Sequence, residues 1–158
     1  MGCRQTIRQE NLVSTDDTDN ILMYSGQIVA LECLVIYIFI QNRLVRGKYV
    51  ITAQHSNQND YLMNYATLKE MLAKKYGDPF EDRTLWLDDL YRQNPLDWGL
   101  AVSTGRLRLY CQWSTPKTNL ILFLNGDNYQ ISLGIEYSSK EFAWLEEQAT
   151  EQQTLDEL

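Results

Sequence analysis

The stretch that decides the fold runs from Leu31 to Gln54: Leu31-Glu-Cys-Leu-Val-Ile-Tyr-Ile-Phe-Ile40, Gln41-Asn42-Arg43, then Leu44-Val-Arg-Gly-Lys-Tyr-Val-Ile-Thr-Ala-Gln54. Its first run is β-branched and aromatic on both alternating sets. Cys33, Val35, Tyr37 and Phe39 share one face, and Leu34, Ile36, Ile38 and Ile40 the other. A strand that is apolar on both faces is expected in the interior of a sheet covered on both sides. Asn42 stands where a tight hairpin needs a residue tolerant of positive φ. The returning strand alternates Arg46, Lys48, Thr52 and Gln54 with Val45, Tyr49, Ile51 and Ala53, so one of its faces is expected to meet solvent.

Working outward, the chain after His55 carries the clearest helix. Tyr61, Leu62, Tyr65, Leu68, Leu72 and Tyr76 recur at helical spacing, Ser56 or Asn57 precedes them as a cap, and Gly77 followed by Pro79 ends them. This predicts a helix over 59–76. A short strand or turn is expected around Leu85-Trp86-Leu87, and a two-turn helix opens at Asn94-Pro95 and closes at Gly105. Three strands follow as a meander. Leu107, Leu109, Cys111 and Trp113 point inward on the first, and Asn125-Gly126 is read as the turn between the second and the third. Ser138 or Ser139 caps a last helix with a thin stripe of Phe142, Leu145 and Ala149. Before the hairpin, residues 1–12 read as a short helix, and residues 21–30 as a strand broken at Ser25-Gly26. The expected fold class is α+β, an antiparallel sheet with helices packed on it and two halves of one helix and three strands. Residues 1–149 are expected to form one domain, with 150–158 as a flexible acidic tail dispensable for folding.

Composition narrows the function classes. The chain of 158 residues has a net charge of −7. Six acids and no base lie between Glu141 and the end, so the first 140 residues hold 14 bases against 15 acids and are nearly neutral. A charge run of this kind is a solvated end and a poor nucleic-acid mimic. The longest apolar run, Ile28 to Ile40, contains Glu32 and is too short to span a bilayer as a helix. Cys3, Cys33 and Cys111 show no paired spacing, and two of them fall in apolar strand patterns, as buried thiols do in a reducing compartment. The localisation expected is cytoplasmic, or the cell envelope if a signal peptide has been removed and Gly2-Cys3 is a lipidation remnant. The run Met1-Gly-Cys-Arg-Gln-Thr6 also fits a myristoylation pattern.

Three runs resemble a family of uncharacterised bacterial proteins: Tyr37-Ile-Phe-Ile-Gln-Asn-Arg-Leu-Val-Arg-Gly-Lys-Tyr-Val50, His55-Ser-Asn-Gln-Asn-Asp-Tyr61 and Lys74-Lys-Tyr-Gly-Asp-Pro79. The resemblance covers roughly residues 21–145, through Asp97-Trp98-Gly99, Asn125-Gly-Asp-Asn128 and Glu136-Tyr-Ser-Ser139. These are hairpin, turn and cap signatures and imply no chemistry. The order of elements is also distantly similar to small envelope lipoprotein domains of the β-lactamase-inhibitor-like type, which implies a protein partner. In that pattern a helix pair precedes each run of strands, whereas one short helix at most fits here before Ile21.

Candidate chemistry is sparse. His55 is the only histidine, so a multi-histidine metal site is excluded and no cofactor is expected. A Cys–His pair with Cys33 or Cys111 would place a thiolate in an apolar strand, where it is costly. Asp88-Asp89 are adjacent acids in a polar segment, and no phosphate-cradling glycine loop or nucleophile elbow occurs. Arg43, Arg46 and Lys48, with Arg106 and Arg108, are the candidate basic patch. The expected function is a non-enzymatic binding or protein-interaction module that contacts its partner through Arg46, Lys48 and Thr52 beside His55. A protein or a small anionic ligand is the expected partner, and nucleic acid is not. A small enzyme with an acid–base site assembled by the fold, and an acidic inhibitor mimicking nucleic acid, are the alternatives.

Overall fold

A computed structural model describes residues 8–14 and 20–158. Strands β1 (Arg8–Ser14), β2 (Asn20–Ile28), β3 (Leu31–Ile40) and β4 (Arg43–Ile51) precede helix α1 (Asn59–Tyr76) and strand β5 (Glu81–Trp86). A 3-10 turn (Pro95–Asp97) then leads into helix α2 (Trp98–Ser103). Strands β6 (Leu107–Ser114), β7 (Thr118–Asp127) and β8 (Gln130–Ser139) and helix α3 (Ala143–Glu157) complete the chain. All eight strands join one antiparallel sheet in the order β1-β2-β3-β4-β8-β7-β6-β5. No helix of the described residues is long and apolar enough to cross a membrane.

The fold is α+β, as the periodicities require. The β3–β4 hairpin turns at Gln41-Asn42, both with positive φ. Helix α1 lies across β7 and β8 and buries Tyr61, Tyr65, Leu68 and Leu72. They pack on one side of the sheet with Leu120, Leu122 and Leu124 of β7, Leu133 and Ile135 of β8, and the predicted inward residues Leu107, Cys111 and Trp113 of β6. Asn57 accepts a side-chain bond from the Asn59 amide at the start of α1. At its end Gly77 adopts φ 82°, and the Gly77 carbonyl accepts from the Trp113 indole at 2.8 Å. Asn59 ties α1 to α2: its amide group donates to the Leu96 carbonyl and accepts from the Gly99 backbone.

Several expectations need correction. Residues 8–14 form strand β1, not the second half of a helix; the earlier residues of that reading lie outside those described. The first half of the chain is therefore four strands with no described helix ahead of them. Strand β2 runs through Ser25-Gly26, and the chain turns at Val29-Ala30. Asn125-Gly126 does not form the β7–β8 turn either, which sits at Asn128-Tyr129. Gly126 is instead a point of close approach: a Cβ there would lie 2.4 Å from the Val102 carbonyl oxygen of α2. Strand β3 is interior to the sheet, yet Leu34, Ile36, Ile38 and Ile40 keep intermediate exposure, so its second face is only partly covered. Where a frayed tail is expected, α3 remains helical to Glu157, with every residue from Glu147 onward exposed.

Leu68 is 1% exposed at the centre of the α1 contact. Leu68→Ala is expected to lower stability by roughly 2–5 kcal/mol in denaturant unfolding; a loss below about 0.5 kcal/mol, the surface range, would contradict the packing.

Candidate functional site

The first residues to place are those singled out by the pattern of β4. Arg46, Lys48 and Val50 share the sheet face opposite α1, as the alternation predicts, but the two cations are not free. A bulge at Val45 breaks the β3–β4 register, with Ile38 facing Arg46 and Phe39 facing Leu44. Arg46 then points to α3, where its Nε and Nη2 donate to the two carboxylate oxygens of Glu146 at 3.0 and 2.9 Å. Its Nη1 donates to Glu136 at 2.9 Å, and Lys48 meets the other oxygen of Glu136 at 3.2 Å. This two-cation, two-carboxylate cluster holds α3 to the sheet, and the Glu146 pairing raises the Arg46 pKa. Arg43 stacks over the Phe142 ring at the start of α3.

The other candidates lie elsewhere. Thr52 follows the end of β4, and its amide donates to the Glu32 carbonyl at 2.9 Å. His55 sits at the entry to α1, its ring edge-on to Tyr61 and in contact with the Asn64 amide. From Arg46 to Ile51 alone the strand extends about 17 Å. The structure therefore brings Arg46 and Lys48 together and separates them from Thr52 and His55. Arg108 lies on β6, two strands beyond β8, so the basic residues do not form one patch.

Among the described residues no nucleophile–base pair is assembled. Cys111 is buried, shares a contact of 3.2 Å with the Tyr65 hydroxyl and donates to Asp82 at 3.3 Å; Asp82 is in turn bound by Lys69. Burial raises the Cys111 pKa, which disfavours the thiolate, and the Lys69 hydrogen bond lowers that of Asp82. Asp88 pairs with Arg106 and Asp89 with Arg92 at the surface. Among the described residues no group of His, Cys, Asp and Glu could hold a metal ion.

A different site emerges on the helix-bearing face. Beyond the end of α1, where β4 meets β8, a groove of about 450 Å³ is walled by Tyr37, Tyr49, Tyr76 and Tyr137, with Lys75 and Lys117 also lining it. Tyr49 and Tyr137 meet edge to face at 6.0 Å. Its floor is Gly47, between Tyr37 and Tyr137. Burial, with Tyr76 and Tyr49 alongside, pushes the Tyr137 hydroxyl well above its ordinary pKa, and burial raises Tyr49 likewise. Both hydroxyls thus stay neutral hydrogen-bonding groups. Alternation alone does not reveal this groove, because its residues come from β3, β4, β8, α1 and the β6–β7 turn. A signal was nevertheless present in the tyrosines at like positions of paired strands and the lone glycine between them. A depression of similar volume on the opposite face, over Leu85, Ile121 and Gln112, holds two aromatic residues, Tyr110 and Phe123, and, among the described residues, one unpaired cation, Arg108, against four tyrosines and two lysines here.

No family model, curated protein or solved structure matches the chain.

Two outcomes follow from these contacts. The double variant Arg46→Glu with Lys48→Glu sets four carboxylates against one another and is expected to lower stability by roughly 1–3 kcal/mol and release α3, seen as faster hydrogen exchange in 143–157. An unchanged melting temperature would show the cluster to be mere surface. The second outcome is set by pH. Tyr49, Tyr65 and Tyr137 have raised pKa values in the folded chain, so their contribution is complete below the ordinary value of 10.0 and is lost as pH rises above it. Alkaline titration should show these three ionising only with unfolding, as a step in tyrosinate absorbance that coincides with loss of circular dichroism.

Proposed function

We propose that the chain is a non-enzymatic binding module and that its ligand sits in the tyrosine-walled groove between the end of α1 and the β4–β8 pair. The observation that carries this reading is Gly47. A Cβ there would meet Tyr37 at 3.7 Å and Tyr137 at 4.0 Å, ordinary contact distances, so neither crowding nor backbone conformation demands glycine. The missing side chain leaves open space bounded by aromatic rings on a rigid sheet, the usual make-up of a small-molecule site. Tyrosine supplies large contact area and a polar tip at low entropic cost. Catalysis is less well supported: the groove holds no histidine or thiol, and burial holds Tyr137 and Tyr49 protonated, away from the pKa a general base needs near neutrality.

A thermal-shift screen of small organic metabolites tests the reading. A ligand at about 100 times its Kd adds roughly 2.7 kcal/mol of stability. Compounds that raise the wild-type melting temperature should leave Gly47→Leu unmoved, while that variant without ligand melts close to wild type. Hits that shift Gly47→Leu equally would put the site elsewhere, and conversion of a hit to product would show an enzyme.

A further inference from the structure

The chain has six lysines, and their partners separate them. Lys48, Lys69 and Lys74 are ion-paired with Glu136, Asp82 and Glu70. Lys140 donates to Ser114. Among the described residues, the two lysines whose side chains make neither an ion pair nor a hydrogen bond are Lys75 and Lys117, and both line the groove. The groove lining also holds Glu141, and Arg46 and Lys48 with their carboxylate partners, so the two free lysines leave it with an excess of positive charge in a chain whose net charge is −7. Lys75 has a local reason for its place, since it stands in the last turn of α1 and its ammonium lies over the Tyr76 ring at 5.2 Å. Lys117, exposed in the β6–β7 turn, has no such reason.

The shape of the floor limits the body of the ligand. The space above Gly47 is bracketed by the Tyr37 ring and Tyr137 at 3.7 to 4.0 Å from where a Cβ would stand. The Tyr37 ring is thus a wall in contact range of anything seated over Gly47, and four tyrosines around that floor favour a flat body that can stack on them. We infer that the groove takes a planar aromatic organic anion, its ring over Gly47 between Tyr37 and Tyr137 and its carboxylate or sulfonate toward Lys75 and Lys117. This rests on the groove being the binding site, and it adds the chemical class.

Three probes separate the two statements. Anilinonaphthalene sulfonate has a planar aromatic body and an anionic group, N-phenylnaphthylamine has the same body without the charge, and dodecanoate has the charge without the ring. Fluorescence titration of the first two on the folded chain, and displacement by the third, should give one saturable site for the sulfonate. Lys75→Glu with Lys117→Glu should weaken the sulfonate about tenfold or more, as loss and reversal of two partly exposed charge contacts predicts, and leave the uncharged probe unchanged. Gly47→Val should remove both, and the exposed lysine variants keep the test valid if that variant does not fold. Equal binding of both fluorescent probes, insensitive to the lysines but lost in Gly47→Val, would overturn the anionic class and keep the groove. Dodecanoate displacing the sulfonate at lower concentration than an aromatic carboxylate would overturn the planar class. Sulfonate binding that survives both Gly47→Val and the lysine changes would overturn the site itself.

Discussion

The structure depends on the burial of one stripe, Tyr61, Tyr65, Leu68 and Leu72 of α1, against the apolar face of β6, β7 and β8. An 18-residue helix is about 27 Å long and 10 Å wide, while eight strands at about 4.8 Å spacing make a sheet some 34 Å across. One such helix with the short α2 beside it can cover only part of that width. Because α1 and α2 lie mainly on β6–β8, they meet β2, β3 and β4 only at one end, where Ile28, Leu31, Tyr49 and Ile51 pack against the core. The groove is the step at that boundary. It opens where α1 ends at Tyr76, and its walls are residues that would have been core had the helices extended further. That origin explains a lining of tyrosines: half-covered positions favour rings with a polar tip over aliphatic side chains.

Helix α3 is attached differently. Its apolar stripe is thin, and Leu145 is its one buried residue. Its docking joins that one leucine to an electrostatic contact, the bidentate Arg46–Glu146 pair and the shared carboxylate of Glu136. With about a quarter of each carboxylate still exposed, such a cluster is worth far less than the α1 contact. The two attachments thus differ in strength, the first fixing the fold and the second an appendage to it.

What was legible in the sequence was local. Helix α1 could be read to its terminal residues because a 3.6-residue stripe and Gly77 agree, although its N-cap is Gln58 and not Ser56 or Asn57. The β3–β4 turn could be read because Asn42 fits the backbone the turn demands. Gly126 and Gly26 misled because glycine answers two needs that look alike in one dimension, a left-handed turn and a close neighbour. Here the neighbours are the Val102 carbonyl, and the Val35 side chain 3.2 Å from a Cβ on Gly26. Residues 8–14 misled for another reason: a polar segment with few apolar positions takes its conformation from the edge of β2, to which it pairs. Arg46 and Lys48 were on the predicted face. Their neutralisation by Glu136 and Glu146, ninety and one hundred residues from Arg46, was beyond any periodicity.

The same distinction weighs the groove against the β4 surface as a contact site. A cation already bound by two carboxylates must lose those partners before it can serve a ligand, and in a partly desolvated cluster that loss offsets most of the gain. Lys75 and Lys117 have no carboxylate partner to give up, only the Tyr76 ring under Lys75. An isolated lysine in water carries no functional meaning, and neither does a half-exposed tyrosine. Their coincidence does under the proposed reading, in which a ring held over Gly47 would bring its own anionic group to the lysines without a further loss of translational freedom. Two contacts too weak to matter separately then act as one, and the bare floor at Gly47 is the feature that allows the ring to enter.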